Sequence, residues 1–153
     1  MASEVEHLAC ANRTHETMRH LLADVRVHSP WLAITAFYKA LHVVEAVFAN
    51  DRHIGGTASH DEREGVLKRN KRFLQIYRHY SPLKRASLNA RYLAEVTSFD
   101  QYLSPDRVLD LLLRHHLAQL EQSAKKFLRA GNTLCPVTTI FEESRPSDAH
   151  GNL

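Results

Sequence analysis

Cysteine, glycine, proline and tryptophan are scarce in this chain of 153 residues, with two, five, five and one respectively. Cys10 and Cys135 lie far apart and outside any CxxC pattern, which excludes a disulfide framework and a cysteine-built zinc site. There is no run of about 18 apolar residues and no charged-then-apolar leader, so the expectation is a soluble cytoplasmic protein with no membrane partner. None of the eleven histidines stands in a spaced metal pattern such as HExxH, and no cofactor or metal is expected. Strand alternation and internal repeats are absent as well. What remains is helical periodicity.

That periodicity centres on Ser29 to Arg63. Trp31, Leu32, Ile34, Phe37, Tyr38, Leu41, Val43, Val44, Val47 and Phe48 point in nearly every direction, which predicts a central helix covered by others, from Pro30 to about Asn50. Its polar residues Thr35, Lys39, His42 and Glu45 fall within one stripe. Before it, Ser3 and Glu6 form a capping box for a helix running to about Arg26, with Leu8, Ala11, His15, Met18, Leu22 and Val25 inward. His15 is read as a core histidine.

After the central helix, Gly55-Gly56 lets the chain reverse and Ser59 with Glu62 starts a third helix at His60. Ser81-Pro82 is read as its interruption, followed by a shorter helix from Leu83 to Val96. Thr97 to Ser104 reads as a loop, and Ser104-Pro105-Asp106 opens a last helix to about Ala130. Residues 1–131 thus predict an all-α, antiparallel four-to-five-helix bundle. Residues 132–153 read as a loosely structured tail, with at best a short extended piece around Val137 to Phe141.

The net charge of +3 conceals a basic block. Arg63, Lys68, Arg69, Lys71, Arg72, Arg78, Lys84, Arg85 and Arg91 face the single acid Glu64 between residues 63 and 91. Such a block is a footprint for RNA or an acidic partner, and equally a solvated helix face.

The run SPWLAITAFYKALHVVEAVFA, followed by Ser59-His60, resembles the HEPN superfamily of small helical bundles. The positions that carry the resemblance are Phe37-Tyr38, Leu41-His42, Ser59-His60 and, in NARYL, Arg91-Tyr92. It covers about Ala9 to Leu93. It implies an HEPN-like fold, a homodimer, and a protein that acts on or binds RNA in a toxin–antitoxin, antiviral defence or stress-response system. Catalytic members cleave RNA without metal through an Arg-x(4–6)-His motif. Three such spacings occur here, Arg13 to His20, Arg72 to His79 and Arg145 to His150. Arg107 to His115 in the last helix is one residue too long.

The candidate catalytic residues are therefore Arg72, His79, His42 and His60. Arg63, Lys68, Arg69, Lys71, Arg78, Lys84 and Arg85 are the candidate RNA-binding residues. A second expectation is that His42, Glu45, His60 and Arg63 converge across the Gly-Gly link, as a site or as a buried network in which Glu45 pairs with Arg63. The alternative function is a non-catalytic, dimerising interaction module that binds a partner such as a nucleotidyltransferase-like antitoxin. A third is small-molecule binding between helices beside His42.

Overall fold

The computed structural model describes residues 1–92 and 103–142. Among them every regular element is helical. Helix α1 (Glu4–Leu22) opens on the expected capping box: Glu6 N–H donates to the Ser3 hydroxyl, and Ser3 N–H donates to the Glu6 carboxylate at 2.7 Å. Leu8, Ala11, His15 and Met18 are its buried stripe.

Helix α2 (Val25–Ala49) follows after a two-residue turn, so α1 is shorter than expected and α2 starts five residues before Pro30. Proline therefore sits inside the helix, where it removes one intrahelical bond. Burial offsets that loss, since Leu32, Ala33, Ala36, Phe37, Ala40, Val43, Val44 and Phe48 are all fully buried. By length and composition alone α2 is apolar enough to cross a membrane, but 67% of its most apolar window is covered by the rest of the chain. It is the core helix. Pairings of Glu4 with Asn50, His7 with His42 and His15 with Lys39 show that α1 runs antiparallel to it.

The link after α2 folds back onto it. Gly55 and Gly56 both have positive φ, +66° and +146°, and a side chain at Gly56 would press on Met1 Sδ at 3.0 Å with the Glu45 carboxylate just beyond. Helix α3 (His60–Arg69) is capped by Ser59, as expected, and stops at Asn70, whose backbone is extended and whose amide donates to the Val66 carbonyl at 2.8 Å. A single 3₁₀ turn at Lys71–Phe73 leads into α4 (Leu74–Tyr92). The break thus falls at Asn70, and Ser81-Pro82 lies within α4. Asn competes for local backbone groups, whereas the apolar residues around Pro82, Tyr80 and Leu83 among them, are buried and hold the helix together. The predicted loop from Thr97, the predicted end at Val96 and Arg145 with His150 lie outside the described residues.

Ser104 caps α5 (Pro105–Arg107), which continues as a π-helical segment, Val108–Leu117, and then as α6 (Ala118–Lys125). This helix ends five residues before Ala130. Glu4 ties the ends together: one carboxylate oxygen accepts from Ala130 N–H at 2.9 Å and the other from the Asn50 amide at 2.8 Å.

The expectation of a loose tail from Asn132 is corrected for the residues up to Glu142. Leu134, Val137 and Ile140 are buried, and the last piece is a helical turn, α7 (Thr139–Glu142), rather than an extended one. Asn12 clamps this segment, donating to Thr133 O at 2.7 Å and accepting from Cys135 N–H at 2.8 Å. The described chain is a helical bundle in which α1, α4 and the 105–125 helix surround α2.

Candidate functional site

Glu45 and Arg63 meet across the Gly-Gly link, as expected. Arg63 Nε donates to Glu45 Oε1 at 2.6 Å, and both side chains are buried. Thr57 adds its hydroxyl and its backbone N–H to the same carboxylate. The other end of the guanidinium reaches His60: Nη1 donates to His60 Nδ1 at 3.2 Å. That bond fixes the tautomer of His60, because an Nδ1 that accepts leaves the proton on Nε2. Burial, then the charges of Arg63, Lys84 and Arg91, hold its pKa below the usual histidine value.

His42 converges on the same neighbourhood through a partner that the sequence does not reveal. Its Nδ1 lies 3.4 Å from Nδ1 of His7 on α1. Burial depresses both rings, and the cation of Arg63 adds to the effect. Two neutral imidazoles bonded Nδ1 to Nδ1 have one donor and one acceptor. The donor ring then presents a bare Nε2, whichever of the two it is.

On the outer side of α2, Trp31, Thr35, Tyr38 and His42 recur at four-, three- and four-residue steps and form one face. Thr35, Tyr38 and His42 line a groove with Cys10, Arg13 and Thr14 of α1. Arg91 at the end of α4 closes on this face, its guanidinium 3.4 Å from the Tyr38 hydroxyl and 5.6 Å from the ring centre of Tyr92. Tyr92 is 70% exposed. The four polar residues of the α2 stripe do not stay together: Thr35 and His42 border this groove, Glu45 turns to Arg63, and Lys39 is fully buried in the core. There Lys39 contacts His15 Nδ1 at 3.0 Å, Cys135 O at 2.6 Å and Glu121 at 2.6 Å.

The Arg72–His79 pair is not assembled. Arg72 is bound to Asp51 and stacks on Phe73, whereas His79 is buried against His115 and His116, and the two share no partner among the described residues. The turn at Asn70 places Arg72 outside the helix that carries His79. The basic block is likewise not one face. Arg63 is interior, while Lys68 and Lys84 both reach Glu64. Arg69, Lys71, Arg78 and Arg85 are exposed. Arg13 contacts Cys10 Sγ at 3.1 Å and its spaced partner His20 is exposed, with no contact between them.

A second histidine cluster was not legible from spacing. His79 Nδ1 and His116 Nδ1 are 3.1 Å apart, and the His115 ring lies 5.3 Å from that of His79 and 4.8 Å from that of His116. Burial, then the neighbouring His115 and His79, push His116 down to about 4. Comparisons of the chain with protein-family models, with characterised proteins and with solved structures find no match.

Proposed function

We propose that the chain is an HEPN-like, RNA-directed cytoplasmic protein whose site is the face carrying Tyr38, His42, His60 and Arg91, with the buried Arg63 bonded to His60. Arg91 carries this reading. Its guanidinium packs against two tyrosine rings and has no carboxylate partner among the described residues. A cation flanked by aromatic rings matches the phosphate and unstacked base of single-stranded RNA. The resemblance adds to it, since Tyr38, His42, His60, Arg91 and Tyr92 among the residues that carry it contribute to this face, while Phe37 is buried in the core against the His60 ring.

The chemistry open to the set is metal-independent cleavage. The bare Nε2 of the His7–His42 pair takes the proton of a 2′-hydroxyl, and the 2′-oxygen attacks the adjacent phosphorus. The bond from phosphorus to the 5′-oxygen breaks, and the pair returns its proton to that oxygen. Arg91 and the Nε2–H of His60 offset the charge on the phosphate. The products are a 2′,3′-cyclic phosphate and a 5′-hydroxyl. Arg63 acts by positioning, since Glu45 neutralises it and it holds the His60 tautomer.

Incubation of the purified chain with single-stranded RNA in EDTA tests this. Cleavage that leaves a cyclic phosphate, is lost in His42→Ala and Arg91→Ala, and persists in Arg72→Ala and His79→Ala is the expected result. Binding without cleavage, weakened by Arg91→Ala, assigns an RNA-binding module on the same face. Neither binding nor cleavage overturns the reading. The interaction-module alternative, a dimer holding an acidic partner such as a nucleotidyltransferase-like protein, then leads, because Arg69, Lys71, Arg78 and Arg85 are exposed without an ion pair among the described residues.

A further inference from the structure

The three rings at the contact of α4 with the π-helical segment have no role in that reaction. His79 is buried, His116 half-buried and His115 exposed, and one nitrogen from each lies within 4.8 Å of the other two. Three convergent imidazoles with no carboxylate among the group form a neutral nitrogen donor set. Such a set suits zinc and its neighbours in the first transition row rather than magnesium or calcium.

The distances fit that class. Zinc–nitrogen bonds of about 2.0–2.1 Å in a tetrahedron put two donor atoms about 3.3 Å apart. The His79 and His116 Nδ1 atoms are 3.1 Å apart, already close to a tetrahedral edge. His115 already offers a nitrogen within 4.8 Å of the other two, and its side chain is exposed. The local backbone contributes as well. Consecutive side chains of an α-helix diverge by about 100°, and the wider turn of the Val108–Leu117 segment reduces that angle, bringing the adjacent His115 and His116 to the same neighbour.

We infer that His79, His115 and His116 form a binding site for a divalent transition-metal ion of the zinc type, with its fourth position open to water on the His115 side. In the metal-free chain one of the two facing Nδ1 atoms carries a proton and donates to the other. Metal binding moves that proton to Nε2, a change of tautomer with no change of net charge. The bound ion bridges α4 and the 108–117 segment, so it stabilises the folded chain by mass action.

Cobalt(II) is the probe, because its visible absorption reports tetrahedral coordination. Titration of the EDTA-stripped, buffer-exchanged full chain is expected to give an intense visible band saturating at one ion per chain, bleached by zinc, with the melting temperature rising as zinc is added. His115→Ala, at an exposed position that leaves the fold intact by circular dichroism, is expected to weaken cobalt binding by at least about tenfold. His20→Ala, an exposed histidine elsewhere, leaves it unchanged. Absence of a band, or a band equally strong in His115→Ala and His116→Ala, overturns the assignment and leaves the rings as a histidine–histidine hydrogen bond.

Discussion

Glu45 and Arg63, on helices joined by the Gly-Gly link, form a 2.6 Å ion pair with the carboxylate also bonded by Thr57 and the guanidinium also bonded to His60. Both carboxylate oxygens are therefore bonded and the guanidinium is held at two of its nitrogens, and such additional hydrogen bonds are what make a buried pair tolerable. Arg63→Met strands the Glu45 charge in the interior and is expected to cost about 3–5 kcal/mol. Arg63→Lys keeps the charge but not the two-ended geometry, so it should lose less stability and release His60. Urea unfolding measures the first effect. The His60 proton resonances, followed by NMR against pH, measure the second, and an unchanged His60 titration in Arg63→Lys would refute the positioning role.

A different buried group contributes to the acid sensitivity. Lys39 donates to Nδ1 of His15, so the proton of His15 sits on Nε2 facing Thr139, and burial together with the Lys39 charge pushes its pKa to about 4. The ordinary value is 6.5. Between these values the unfolded chain binds the extra proton and the folded chain does not. Stability from this residue is therefore complete above about pH 6.5 and declines as pH falls towards 4, by about 2 kcal/mol at pH 4.5. Urea midpoints at pH 7.5 and 4.5 should differ by more in the wild type than in His15→Gln. Equal pH dependence in the two would exclude His15 as the source.

Ser87 lies at the opposite extreme of satisfaction. It is fully buried in α4 and its hydroxyl has no hydrogen-bond partner among the described residues. A buried unpaired hydroxyl costs about 1–3 kcal/mol relative to one that is bonded, and alanine is a better helix former. Ser87→Ala is accordingly expected to be neutral or to stabilise the chain by about 1 kcal/mol, read as a shift in urea midpoint at constant slope. A loss above about 1 kcal/mol would mean that the hydroxyl has a partner.

The helical class was legible because caps and periodicity agreed: Ser3 with Glu6, Ser59 and Ser104-Pro105 each open a helix where the pattern begins, and α2 is apolar all round. Proline was the misleading signal. Pro30 and Pro82 read as boundaries, yet tertiary burial around each exceeds the local cost, while the modest Asn70 ends α3 with an extended backbone, its side-chain amide joining its own N–H on the Val66 carbonyl. The Glu45–Arg63–His60 chain was readable across a short link. His7 with His42, and His79 with His115 and His116, were not, because their meeting depends on the register of helices far apart in sequence. The packing of Leu134, Val137 and Ile140 was hidden for the same reason: their neighbours, Glu121 and Asn12 among them, are distant in the chain.

The basic block and the Arg91 face make opposite forecasts for RNA binding. If charge density alone governs affinity, Arg78→Ala with Arg85→Ala should weaken binding more than Arg91→Ala, since two exposed cations are lost instead of one. If the face governs it, Arg91→Ala should be the more damaging change, because it removes the cation and the platform that orders Tyr38 and Tyr92. Tyr92→Ala should then cost about 1–3 kcal/mol through lost base stacking, with little change in the dependence on salt, whereas Arg91→Ala should reduce the salt slope by about one phosphate contact. Fluorescence anisotropy of a labelled single-stranded RNA across a salt series separates the two. Equal affinities for wild type and the Tyr92→Ala, Arg91→Ala double variant would move the binding surface off this face and onto the exposed residues of α3 and α4.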